Sequence, residues 1–390
     1  MINPLLSVVI PTKNRYEYLL NLLDSLLAER SDKFEIIIQD NSDDNTEIVA
    51  YLSQVNDSRV RYNYSQGWLS VIDNCDLAIS QATGDFVCML GDDDGIVLES
   101  SLKLLEYMQR NNHHAANVNI ISYMWPDTSH AVWKDALSGT VSSQSFTYSI
   151  SNLDAKMELA KIMKQGAAYG LGQIPRVYHA FVSKAMLDKL MAETGTYFPG
   201  PSPDMANGVG LTKYIDNFLY ASIPTIISGH SKKSTGGQGQ KRKHHGKIEN
   251  IGHLPKDTGS KWSRKIPYFW SGPTIYAESA RRALEATNRI DELNYDYLRA
   301  VCLVYERNYS EFIWKTINTK NQGSTPLSIL ILFVNFVTII IRRGLNYIKN
   351  KKKTLRKNKD LVFKANSIKE VIDCCKNELN KVKLEKLLNQ

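Results

Sequence analysis

The chain predicts an α/β fold, a parallel sheet with helices on both faces, and two observations carry that expectation. Short apolar runs rich in β-branched residues alternate with amphipathic helical stretches through the first hundred residues, the pattern that builds parallel sheets. One of these runs, Phe86 to Leu90, is apolar at five successive positions, as a strand buried on both faces requires. It leads into Gly91-Asp92-Asp93-Asp94-Gly95, which sets three carboxylates at the carboxyl end of the strand, where open α/β sheets keep their ligands. Adjacent aspartates repel one another unless solvent or a cation compensates them. Hard oxygen donors of this kind favour Mg²⁺ or Mn²⁺; the plainer alternative is a solvated acidic turn.

Taken in order, Leu5 to Ile10 is a first strand, stopped by Pro11, and a helix follows with Tyr18, Leu19, Leu22, Leu23, Leu26 and Leu27 at helical spacing. Phe34 to Gln39 is a second strand that runs into Asp40-Asn41-Ser42-Asp43-Asp44, and Asp43 or Asp44 can cap the helix that continues to about Ser53. Arg59 to Tyr64 reads as a third strand, Leu69 to Ser80 as a helix, and Phe86 to Leu90 as the strand before the aspartates. Trp68, in the preceding loop, is either a stacking platform or a packed core residue.

The order and content of these segments resemble the family 2 glycosyltransferases. Ser7 to Arg15, Ile36 to Asp44, Asn74 within its helix, and Ala82 to Phe86 leading to Asp94 stand in register over roughly residues 5 to 110. The resemblance implies a GT-A, Rossmann-like nucleotide-sugar-binding domain. It implies further that Pro11, Thr12, Arg15 and Asn74 line the nucleotide pocket and that Asp40 accepts a hydrogen bond from uracil. Asp92 and Asp93 would lie beside the ribose and donor sugar, and Asp94 would hold an Mn²⁺ or Mg²⁺ ion on the diphosphate of a UDP-sugar. One position departs from the family habit: Asp73, not an arginine, precedes Asn74.

Further along, Asn117 to Tyr123 and Arg176 to Val182 read as strands, and Ala155 to Lys164 and Lys184 to Ala192 as helices. Three prolines then stiffen the approach to Asp204, which begins a helix extending towards Tyr220. Asp204 is either a helix-capping aspartate or, as the resemblance implies, the general base of an inverting transfer. After a strand from Ile223 to Ser228, a mobile basic loop spans 229–265, read as a lid over the donor phosphates or as a surface loop, with His230 a candidate metal ligand. Residues 1–110 are thus the expected donor half, 111–265 the acceptor half, and 266–325 a helical region with helices at Thr274 to Asn288 and Asp291 to Arg307.

The last segment, 326–390, differs in character. Leu327 to Ile341 is an uninterrupted run of mostly apolar residues, too short for the roughly 20 needed to cross a bilayer. From Arg342 onwards fifteen Lys and Arg face five Asp and Glu, so the net charge of +8 belongs to this tail. Lys349, Lys351, Lys352, Lys353, Arg356, Lys357 and Lys359 form its centre, suited to anionic headgroups at the cytoplasmic face of the cell membrane. A buried helix or a homo-oligomer contact is the competing reading. Few aromatics and no recognition motif exclude nucleic acid as the tail's partner. Five cysteines without metal-type spacing indicate reduced thiols, and no signal peptide is expected at the amino terminus. A lipid-linked saccharide in O-antigen, capsule or similar surface-polysaccharide assembly is the expected acceptor. A nucleotidyltransferase or an inactive membrane scaffold is the alternative function.

Overall fold

A computed structural model describes residues 4–129, 135–234, 245–317, 326–355 and 361–380. The amino-terminal third follows the expected alternation: β1 (Leu6–Thr12), α1 (Tyr16–Leu27), β2 (Phe34–Asp40), α2 (Thr46–Gln54), β3 (Val60–Tyr64), α3 (Val71–Ser80) and β4 (Phe86–Met89). These strands pair in parallel, β1 lying between β2 and β4 with Thr12 level with Asp40. Every residue of β2 and β4 is buried, which is why both read as continuous apolar runs.

After the aspartates come β5 (Gly95–Ile96), α4 (Leu98–Arg110), β6 (Ala115–Val118), β7 (Ile121–Met124), β8 (Thr140–Ser143), β9 (Ile150–Asp154), α5 (Ala155–Lys164), β10 (Ala180–Ser183), α6 (Lys184–Thr194), α7 (Pro203–Leu211), β11 (Asn217–Ala221) and β12 (Ile226–His230). The large sheet has the order β3-β2-β1-β4-β10-β6-β11-β9. A second sheet runs β13-β8-β7-β12-β5, in which β13 (Leu361–Lys364) comes from the far end of the chain.

Three elements differ from the sequence reading. The single strand expected at 117–123 is two, because the chain passes from the large sheet to the small one at Asn119, whose backbone N–H still bonds Ala221 and whose side chain bonds the Gln144 carbonyl. The strand expected from Arg176 begins only at Ala180. The helix expected from Asp204 towards Tyr220 ends at Leu211, and Tyr220 lies in β11. That helix carries Gly208 and Gly210 where it crosses other elements: a Cβ on Gly208 would come 2.7 Å from Ile174, and one on Gly210 2.9 Å from Leu190. Glycine gives close packing there at the expense of helix length.

The carboxyl-terminal third is helical, with α8 (Gly272–Ala286), α9 (Tyr295–Tyr305), α10 (Ser310–Ile317) and α11 (Pro326–Leu355). A capping box between Ser271 and Thr274 starts α8. One stripe of α11, Leu332, Phe336 and Ile339, packs into the cluster that contains α9, while Phe333, Val334 and Ile341 are exposed. Among the described residues no helix is long and apolar enough to cross a membrane. Residues expected to trail as a basic tail fold back instead: β13 pairs with β8, and α12 (Ile368–Asn380) buries Ile368, Val371, Ile372, Cys375 and Leu379 in the same core as β1 and α1. Arg356, Lys357 and Lys359 lie outside the described residues.

Candidate active site

The carboxyl ends of β1 and β4 place Thr12 beside the aspartate loop. Thr12 donates from its hydroxyl to Asp92 (2.8 Å), and Arg15, one turn into the following loop, grips both Asp92 oxygens at 2.6 and 3.0 Å. The third guanidinium nitrogen of Arg15 stands 3.7 Å from Asp93. Arg15 is thus committed to the carboxylates and orders them. Pro11 is the partly exposed residue of β1 at this end, and Asn74 reaches in from α3 to the Thr12 carbonyl. The Asn74 amide oxygen is buried with no hydrogen-bond partner among the described residues.

Asp93 and Asp94 are held from the other side by β12. Gly229 donates its backbone N–H to Asp94 (2.8 Å), Ser231 donates to Asp93 (2.9 Å), and the Trp125 indole bonds the Asp93 carbonyl. A Cβ at Gly229 would fall 1.7 Å from that carbonyl oxygen, so only glycine lets the strand approach this closely. Asp94 also accepts from the Gly91 N–H (2.6 Å), the Tyr178 hydroxyl (3.2 Å) and His179 Nε2 (2.6 Å).

The electrostatics follow from this crowding. Burial raises the Asp92 pKa to about 7 against the pull of Arg15, and burial with the neighbouring Asp94 raises that of Asp93. Burial works to raise Asp94 too, yet His179 and the two backbone N–H groups win and hold it below the ordinary carboxylate value.

Asp40 lies at the carboxyl end of β2, level with Thr12, with its carboxylate already engaged. It is wholly buried, accepts from Tyr16 (2.6 Å), Tyr62 (2.9 Å) and the Ser42 N–H (2.8 Å), and holds the β2–α2 loop. A base that bonds Asp40 must share a carboxylate already engaged three times.

Facing the aspartate loop, Asp204 is the second residue of α7, after Ser202 and Pro203. It caps nothing: its carboxylate makes no hydrogen bond or ion pair with a described residue and is partly exposed. Burial of its surroundings raises its pKa, opposed by His179 and Arg176. Arg176 bonds only carbonyls, those of Gly172 and Ile174 at 3.4 Å, and pairs with no carboxylate among the described residues.

Arg176, Tyr178 and His179 went unread in the sequence, where they look like the start of a strand. His179 has φ of 58°, a left-handed conformation uncommon for such a residue. Nothing in the residue order announces that bend, which turns its imidazole onto Asp94.

His230, the last residue of β12, lies within electrostatic reach of Asp93, Asp94 and His179, and its Nδ1 is buried without a partner among the described residues. The carboxylate donors of the loop suit Mn²⁺ or Mg²⁺ in kind, and the imidazoles beside Asp94 are softer donors than Mg²⁺ prefers. Among the described residues no three His, Cys, Asp or Glu side chains are already gathered at metal-holding distance. Of the basic loop, 235–244 lies outside the described residues, while 245–265 is packed, burying Ile248, Leu254 and Trp262. Trp68 is exposed, donates to the Gly252 carbonyl, and has the Lys256 ammonium 4.8 Å from its ring centre.

Residues 7–149 match the family model Glycosyl transferase family 2. A GalNAc(5)-diNAcBac-PP-undecaprenol beta-1,3-glucosyltransferase of Campylobacter jejuni is 38% identical over 120 residues, covering 30% of this chain and 37% of that protein. The chain thus spans little more than a third of that relative's length. Two solved structures of S. aureus TarS 1-349 also align. The complex with UDP-GlcNAc has 16% identity and a TM-score of 0.41 over 60% of each chain. The complex with UDP has 14% identity and a TM-score of 0.43 over 87% of this chain and 91% of that one.

Proposed function

We propose, from the premise that residues 7–149 are a family 2 glycosyltransferase domain, that the chain transfers a sugar with inversion from a UDP-sugar to a hydroxyl of a lipid-linked saccharide in surface-polysaccharide assembly. The observation that carries this reading is the carboxylate of Asp204, without a hydrogen-bond or ion-pair partner among the described residues and within electrostatic reach of a buried, triply acidic loop. In it Asp204 removes the proton of the acceptor hydroxyl as that oxygen forms its bond to the anomeric carbon, and the bond from that carbon to UDP breaks on the opposite face. Thr12, Arg15 and Asn74 hold the donor side in place, with Pro11, Asp92 and Asp93 against the ribose and sugar and Asp40 shaping the base pocket through Tyr16 and Tyr62.

Asp94, with His179 and His230, would hold the Mn²⁺ or Mg²⁺ ion, which supplies positive charge for a diphosphate leaving group. A site with three carboxylates and one committed arginine needs that charge before a second anion enters. Residues 1–110 serve the donor and 111–265 the acceptor in this reading, and 266–325 braces α11. The exposed apolar side of α11 and the cations that follow it support attachment to the cytoplasmic face of the cell membrane.

Calorimetry of UDP with and without Mn²⁺, on the wild type and on Asp94→Asn, is the test. Binding that needs metal and weakens in the variant is expected, followed by transfer from UDP-sugars to polyprenyl-linked acceptors. Absence of binding by any nucleotide sinks the reading.

A further inference from the structure

A hollow of about 210 Å³ lies between α11 and the loop that follows α5, lined by Gln165, Tyr169, Tyr305, Ile339, Arg342 and Arg343. Its chemistry is unlike that of the rest of α11. Arg342 and Arg343 are exposed, and neither is ion-paired with a carboxylate among the described residues. Arg343 stands 5.2 Å over the Tyr305 ring, which fixes where its guanidinium points. Tyr169 and Tyr305 are each nearly half exposed. Two guanidinium forks, two phenolic hydroxyls and an amide surround one small space, all able to donate hydrogen bonds.

The position adds meaning to the composition. Just before the arginines, α11 exposes Ile329, Leu330, Phe333, Val334, Val337 and Ile341 on the side away from the packed Leu332, Phe336 and Ile339 stripe that Arg343 continues, so the hollow lies at the level where the apolar face ends, the level of a headgroup if acyl chains met that face. The loop that forms its other wall is rigidly bent: Gly166 and Ala167 are both left-handed, and a Cβ on Gly166 would strike the Asn294 carbonyl at 2.7 Å. Gly170 of the same loop lies against Tyr276, whose hydroxyl is within electrostatic reach of Asp204.

We propose that this hollow is a subsite for a phosphate ester carried by a membrane lipid, with Arg342 and Arg343 as its charged ligands and Tyr169, Tyr305 and Gln165 completing the donors. The proposal rests on the membrane part of the functional reading above and not on the sugar donor. Two sources share this chemistry, the polyprenyl phosphate of an acceptor and the headgroup of an anionic phospholipid.

Flotation of the full chain with vesicles of phosphatidylcholine alone, with added phosphatidylglycerol, or with added polyprenyl phosphate decides the matter. Wild-type binding should rise about tenfold with a phosphate lipid, and the rise should vanish in R342Q/R343Q. K33Q/K103Q removes the same charge at surface lysines far along the chain from α11 and should keep most of it. A rise with polyprenyl phosphate alone assigns the site to the acceptor; an equal rise with both lipids assigns it to a bulk headgroup. No rise, or equal losses in the two double variants, overturns the subsite. UDP binding measured on the same samples separates this outcome from failure of the donor reading, because neither double variant touches the aspartate loop.

Discussion

The two walls of the cleft are built in opposite ways. On the donor wall every carboxylate is held: Asp92 by Thr12 and Arg15, Asp93 by Ser231, Asp94 by Gly91, Tyr178, His179 and Gly229. On the facing wall, among the described residues, Asp204 has no hydrogen-bond or ion-pair partner and Arg176 makes two long bonds to carbonyls. A fixed carboxylate sets a field and keeps its proton affinity constant, whereas a free one can move to a proton and take it. In the proposed function the contrast divides binding from chemistry between the walls, and it can be broken.

The largest effect is expected from Asp204→Asn. Loss of a general base lowers turnover by about 10²- to 10⁴-fold, and UDP affinity should stay at the wild-type value, because Asp204 supports no part of the donor wall. Parallel loss of affinity and turnover would erase the division. Gly229→Ala comes next: the clash with the Asp93 carbonyl should destabilise the chain by about 3 kcal/mol or more in urea melts and abolish UDP binding. An alanine variant with wild-type stability would mean that β12 can back away from the loop.

His179→Asn sharpens the comparison at one contact. Asparagine tolerates the left-handed backbone, so the fold should survive, while loss of the imidazole on Asp94 weakens metal-dependent UDP binding about tenfold in calorimetry. The smallest effect concerns a carboxylate outside both walls. Asp76 accepts from Thr196 and from the Tyr197 N–H, yet burial raises its pKa to about 6. A folded pKa above the unfolded one, near 4, means that this group's contribution to stability is complete at acid pH and is lost as pH rises through 6. The difference in stability between wild type and Asp76→Asn should therefore slope between pH 4 and 6 and be flat above; a flat difference throughout would remove the shift.

What could be read in advance was local. The runs in β1, β2 and β4 announced buried parallel strands, and the residues at their carboxyl ends do converge. Asp204 was visible because prolines and a helix start surrounded it. Arg176, Tyr178 and His179 were hidden because a left-handed histidine leaves no periodic trace. The crossing at Asn119 was hidden because residues on both sides are equally apolar, and which sheet each half joins is decided by β11 and β12, far along the chain. Asp40 shows a third kind of loss, since Tyr16 and Tyr62 reach its carboxylate only once the sheet has formed.

The return of α12 to the first core has a bearing on how the chain is made. Ile368 lies against Gly95, directly after the aspartate loop, and Lys376 pairs with Glu29 at the end of α1. During synthesis β1 leaves the ribosome more than three hundred residues before α12, so the nascent sheet that bears the aspartates stays uncovered on one flank until α12 has emerged. A chain cut short before residue 368 would carry every side chain of the cleft and still present its open core to chaperones and proteases. Synthesis through α12 is thereby a condition for a lasting cleft, and products truncated before it are marked for removal by their own exposed interior.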